Sequence, residues 1–137
     1  MYACVEAMRA QFGERELIAL SDRERTGVVD SAVVSAAIDD ASSEIDSYLA
    51  GRYRLPLDPA PKMLSRVCCD IARYLLCGAD ARMTEEIRQR YKDATGFLKL
   101  VANGDVTLGV TATGSVPESD NPIQFEFGAR VFDRRCR

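Results

Sequence analysis

TEEIRQRYKDATGFLKLVANG, residues 84–104, is the stretch that decides the fold. Ile87, Tyr91, Ala94, Leu98 and Val101 recur in steps of four and three, which lines one face of a helix and fits no strand. Glu86 and Arg90 stand four apart in the favourable order, and Asn103-Gly104 supplies a stop. The spacing predicts a helix over 84–102.

The same period extends toward the N-terminus. Met63, Leu64, Val67, Ile71, Leu75 and Leu76 give an inner side to a helix over Lys62–Cys77, with Gly78 as its C-cap. Ahead of it, LPLDPAP (55–61) carries Pro56, Pro59 and Pro61, which lack amide donors and bias their predecessors out of the helical region. That segment reads as an extended, semi-rigid corner. A further helix is expected from Ser31 to about Tyr53, capped by Asp30 and Ser31. Val34, Ile38, Ala41, Ile45, Tyr48 and Leu49 form its buried stripe, while Asp39, Ser42, Ser43 and Asp46 face away. Its alanines, Ala32, Ala36, Ala37 and Ala41, keep the surface thin enough for a second helix to approach closely. Val5 to Leu20 is also helical, split into two short pieces at Gly13. The expected class is mainly α: a four- to five-helix bundle over residues 1–104, followed by a C-terminal extended arm, 105–137, containing short β segments.

In that arm, VTLGV (106–110) is followed by the polar TATGSVPESDNP (111–122), the alternating IQFEF (123–127) and a closing ARVFDRRCR. Two short strands without a third are marginal in water. Large apolar side chains beside a polar linker are also costly to leave wet. Phe125, Phe127, Val131 and Phe132 therefore call for a partner, with Arg130, Arg134 and Arg135 beside them to pair with its carboxylates. These seven residues are the candidate partner-binding set, and docking of the arm on its own bundle is the competing reading.

A chain of 137 residues, 47% apolar and 28% charged, suits one soluble globular domain with a core large enough to need no staple. No run is long and apolar enough for a membrane span, and Glu6 and Arg9 interrupt the first apolar residues, arguing against a signal peptide. The formal charge of −3 divides into −6 for the body and +3 for residues 130–137, where four arginines stand against Asp133. An acidic body is a poor unaided binder of nucleic acid.

The absence of histidine removes Ser-His-Asp and Cys-His catalysis and His-ligated metals. No glycine-rich phosphate loop, GxSxG or metal quartet occurs, so no cofactor or metal site is expected. Cys4, Cys68, Cys69, Cys77 and Cys136 form no CxxC pair and read as reduced cytosolic thiols, three of them core packing in the helix pattern. The loop from Asp22 to Asp30 echoes a calcium loop, but its twelfth position is Val33 and Arg23 and Arg25 crowd it; a solvated turn bent at Gly27 is the simpler reading. Asp40 and Glu44, with Asp39 and Asp46, make an acidic helix side that would need burial to act as an acid–base pair, and neighbouring serines mark it as wet. Tyr48, Tyr53, Tyr74 and Tyr91 read as core packing. A small helical DNA-binding or regulatory module, using IRQRYK (87–92), is the alternative function, and an enzyme working through Asp40, Glu44 or Cys69 is a third.

Three stretches carry a resemblance: MYACVEAMRAQFGERELIALSDRERTG (1–27), IDDASSEIDSYLAGRYRLPLDPAP (38–61) and VCCDIARYLLCGADARMTEEIRQRYKDATGFLKLVANGDVTLG (67–109). Over residues 1–109 the chain resembles the phage Mu-like neck proteins of long-tailed bacteriophages. ASSEIDSYLAGRYRLPL followed by CDIARYLL is the most specific part. The resemblance implies a head–tail connector without a catalytic centre, located in the virion neck and assembled in the host cytoplasm. It further implies a homo-oligomeric ring of twelve copies that meets the portal and a tail terminator or completion protein, DNA passing through without specific binding. The family often has Asp or Asn where this chain has Glu24 and Thr26, and Thr where it has Cys4, which weakens the calcium reading and removes one helix cap.

Overall fold

The computed structural model describes residues 1–78 and 83–109. Five helices follow in order: α1 (Val5–Phe12), α2 (Glu14–Ser21), α3 (Ser31–Leu49), α4 (Lys62–Cys77) and α5 (Glu85–Asn103). Among the described residues there is no strand. Each boundary has a local cause. Gly13, at φ 85°, ends α1 and opens α2. The Asp30 carboxylate accepts from the amides of Ala32 (3.0 Å) and Val33 (3.2 Å), and Thr84 Oγ1 accepts from Ile87 N (3.3 Å), so α3 and α5 are both capped. Gly104 closes α5 in the left-handed region, its amide donating to Leu100 O and Val101 O.

Helices α3, α4 and α5 pack on one another in a triangle, and α1 and α2 lie against α3 and α4. The core runs through Val34, Ile38, Ala41, Ile45 and Leu49 of α3, Leu64, Cys68 and Ile71 of α4, and Leu98 and Val101 of α5, closed at one end by Met8 and Leu17. Small side chains on α3, with Ala41 fully buried, let the triangle close tightly. Cys68 and Cys69 are core residues, as their place in the helical pattern suggests.

Several expectations are corrected. Helix α3 stops at Leu49 instead of reaching Tyr53: Arg52 N and Tyr53 N both turn back onto Leu49 O, and Tyr53 drops into the core from beyond the helix. Ser42 and Asp46 do not face away. The N-terminal Tyr2 crosses α3, its amide donating to Ser42 Oγ (3.3 Å) and its hydroxyl to Asp46, so Ser42 is buried but satisfied. Met63 and Leu75, assigned inside, are 48% and 38% exposed: Leu64 and Cys77 fill the core from the same terminal turns, leaving Met63 at the α4–α5 groove and Leu75 at the seam with α3. Residues 106–109 form no strand. Val106 N donates to Leu100 O and Leu108 N to the Tyr53 hydroxyl (3.2 Å), so those donors serve the end of the bundle. The other β segments assigned to the arm lie outside the described residues.

Candidate interaction surfaces

Several buried and half-buried polar side chains are engaged with one another across helices. Arg73 of α4 is nearly buried; its Nε donates to Glu16 of α2 at 2.6 Å, its guanidinium stacks 4.6 Å from the Phe12 ring centroid, and Glu86 of α5 lies at 3.8 Å. Asp70 of α4 accepts from Gln11 of α1 at 3.1 Å and lies 3.6 Å from Arg90 of α5. Burial pushes the Asp70 carboxyl above its ordinary range, against the pull of Arg90 and Arg66. Tyr91 stacks on Tyr74 with centroids 4.0 Å apart, and its hydroxyl donates to Glu44 at 2.9 Å. Desolvation first, then that carboxylate, push the Tyr91 hydroxyl up to about 12. These groups fasten helices together.

The same geometry bears on the chemical readings. Burial pushes the Cys69 thiol up to about 12 and also raises Cys68, so both stay protonated and poorly nucleophilic at neutral pH. Glu44 is committed to Tyr91, while Asp40 stays exposed. In the 22–30 loop, the Asp22 carboxylate accepts from Thr26 N (2.9 Å), Thr26 Oγ1 (3.2 Å) and Gly27 N (2.6 Å), which lowers its pKa and spends its oxygens on the loop's own turn. Buried Ser21 ties the two ends, donating to Leu17 O and accepting from Asp30 N. Among the described residues, no group of three His, Cys, Asp or Glu side chains is placed to hold a metal ion. The cations of IRQRYK are mostly engaged: Arg88 with Glu85 at 3.4 Å, Arg90 with Glu86 at 3.0 Å and with Asp70. A phosphate backbone would find Lys92 and little else there.

Two surfaces stand out by their difference. The exposed side of α3 presents Ala32, Ala36, Asp39, Asp40 and Ser43, and the whole helix carries four carboxylates and no lysine or arginine. Beside it, at the seam with the end of α4, a shallow pocket of about 240 Å³ is lined by Val33, Ala36, Leu75 and Leu76, with Asp40 and Arg23 on its rim. The second surface is a groove of about 340 Å³ between α4 and α5. Met63, Val67, Ala94 and Phe97 form its apolar walls, and Arg66 and Arg90 its cations.

The seven arm residues assigned to partner binding, Phe125, Phe127, Arg130, Val131, Phe132, Arg134 and Arg135, lie outside the described residues. The groove is the feature that sequence reading missed, since its walls come from helices distant in the chain. The one available signal was the apolar Met63, two residues past the end of the proline corner.

The family model described as "Bacteriophage Mu, Gp36" matches residues 2–127. The chain belongs to the phage Mu Gp36 family. Among curated relatives, "Gene product J" of Escherichia phage Mu is 36% identical over 137 residues, 98% of this chain and 95% of the relative. "Mu-like prophage FluMu protein gp36" of Haemophilus influenzae is 44% identical over 106 residues, 77% of this chain and 74% of the relative. The Gp36 match reaches past the bundle into the arm as far as Phe127. Among the described residues, no helix is long and apolar enough to cross a membrane.

Proposed function

We propose that this chain is a structural protein of the phage particle, a head–tail connector that forms a ring between portal and tail and leaves a channel for DNA. The observation that carries this reading is a phage-family bundle whose interior polar groups are engaged in internal fastening, while two chemically unlike faces stay open among the described residues. A ring is built from one heterologous contact repeated until it closes, and such a contact requires unlike faces on one subunit. A dodecamer is the copy number this reading favours, with the portal on one side and a tail terminator or completion protein on the other.

The domain plan that goes with it is a bundle ending at Gly104 and an arm from Asp105. The start of that arm, Val106 and Leu108, packs on the core. Beyond it, Phe125, Phe127, Val131 and Phe132 serve as apolar anchors on a neighbour or the portal, and Arg130, Arg134 and Arg135 pair with carboxylates there. Deleting residues 122–137 is expected to leave the helical content intact and to abolish ring assembly and infectivity. Light scattering with and without portal, together with plaque counts, reads both; assembly and titre unchanged by the deletion would refute the role of the arm.

A further inference from the structure

We propose that copies of this chain join head to tail through the two faces described above, the acidic edge of α3 in one copy seating in the α4–α5 groove of the next. This deepens the ring reading and rests on it, by naming the surfaces that meet.

The faces point in different directions. Cys68 Sγ lies 3.6 Å from Ser42 Oγ and 3.8 Å from Ile38 O, which marks the side of α4 turned toward α3. At 3.6 residues per turn, Met63, Arg66 and Asp70 fall roughly 140 to 160° around α4 from Cys68. The groove therefore opens away from α3, and one copy can use both faces at once. Contact between two α3 edges would set Asp39 and Asp40 against their own copies, which like-charge repulsion disfavours.

Charge and shape agree with the head-to-tail pairing. Arg66 lines the groove and Lys62 stands one turn before it on α4; both are exposed and make no ion pair among the described residues. The groove's own carboxylates are occupied, Asp70 by Gln11 and Arg90 and Asp93 by Gln89 at 2.8 Å. The incoming α3 edge brings Asp39 and Asp40 on a narrow ridge of Ala32, Ala36 and Ser43, whose small side chains allow close approach. Met63 and Phe97 of the groove then meet Ala36 and the exposed Leu75 of the shallow pocket beside α3.

The test uses the full chain and charge reversal. Asp39→Lys with Asp40→Lys, and separately Lys62→Glu with Arg66→Glu, should each weaken self-association about tenfold or more, and all four together should restore it to within about threefold of the wild type, as complementary charges do across interfaces. Sedimentation and light scattering, alone and with portal, give the association; circular dichroism confirms that each variant is folded, which the exposure of all four positions favours. A second measurement needs no substitution: carbodiimide coupling of mixed light- and heavy-nitrogen wild-type chains should yield inter-chain peptides joining Lys62 to Asp39 or Asp40. Rings that form normally in either reversed pair, failure of the fourfold variant to recover, or inter-chain peptides that omit these residues would overturn the assignment of faces and leave the ring standing. A wild type that never self-associates, even with portal, would overturn both.

Discussion

Replacing Arg73 by methionine is expected to cost about 2 to 3 kcal/mol, a charged hydrogen bond being worth about 1.5 to 3 kcal/mol and a partly desolvated cation–π contact about 1 kcal/mol. Its side chain is 10% exposed, close to Glu16 on α2 and stacked on Phe12 of α1, with Glu86 of α5 a weaker partner. Methionine keeps the apolar stem, which returns part of the loss. Glu16 is 31% exposed, so the abandoned carboxylate can rehydrate, and the full 3 to 5 kcal/mol penalty of a stranded buried charge does not apply. Urea unfolding followed by circular dichroism should show a midpoint lowered by about 0.7 to 3 M with an unchanged slope, for slopes in the usual range of about 1 to 3 kcal/mol per M. Glu16→Gln should cost about half as much, and the double variant should reveal a coupling of about 1 kcal/mol. A loss below about 0.5 kcal/mol for Arg73→Met, the range of an ordinary surface change, would show that the guanidinium does not hold the N-terminal helices to the bundle.

Leu98, fully buried at the centre of the triangle, should lose about 2 to 5 kcal/mol as Leu98→Ala, read as a thermal shift, and a cost under about 1 kcal/mol would place it outside the core. In native protein at mildly alkaline pH, iodoacetamide should modify exposed Cys4 and spare Cys68 and Cys69, with peptide mapping as the check; rapid labelling of Cys69 would contradict its burial. The Tyr91 hydroxyl titrates near 10.0 when unfolded and about 12 when folded, so its contribution to stability is complete below pH 10.0 and is lost as pH rises toward 12. Phenolate absorbance should lose one late-titrating tyrosine in Tyr91→Phe while Tyr2, also raised by burial and its bond to Asp46, remains, and an unchanged titration would remove the Tyr91–Glu44 bond from the description.

Sequence reading succeeded where structure is local. The period of Ile87, Tyr91, Ala94, Leu98 and Val101, the cap at Asp30 and the break at Gly13 depend on neighbours a few residues away, and the helices begin and end within a residue or two of those signals. It failed where a distant segment changes what a side chain meets. Ser42 reads as a solvent-facing serine until Tyr2 arrives from 40 residues away to bury it. Tyr53 reads as the last turn of α3 until the reversal at Leu49 sends it inward. Asp39 and Asp40 were legible as a wet face, whereas Glu44 and Asp46 on the same helix are taken up by Tyr91 and Tyr2; the groove between α4 and α5 exists only once those helices are side by side.

The interior fastenings and the exposed faces are linked through Arg90. It pairs with Glu86 on its own helix and with Asp70 on α4, so it sets how α4 and α5 lie together while standing in the wall of the groove between them. A repeated heterologous contact closes into a ring only when every subunit presents its two faces at the same angle, and a small error at each step accumulates around the circle. Helices held by packing alone would allow that angle to vary. Carboxylate–guanidinium pairs, the nearly buried Arg73–Glu16 as well as the partly exposed pairs of Arg90, have discrete geometries, and the same pairs recur in every copy. On this reading, Arg73 and Arg90 matter to the connector chiefly because they hold Asp39 and Asp40 at a fixed bearing from Lys62 and Arg66. Arg90→Met should therefore disturb ring closure, giving open or mixed assemblies, by more than its modest effect on unfolding would suggest.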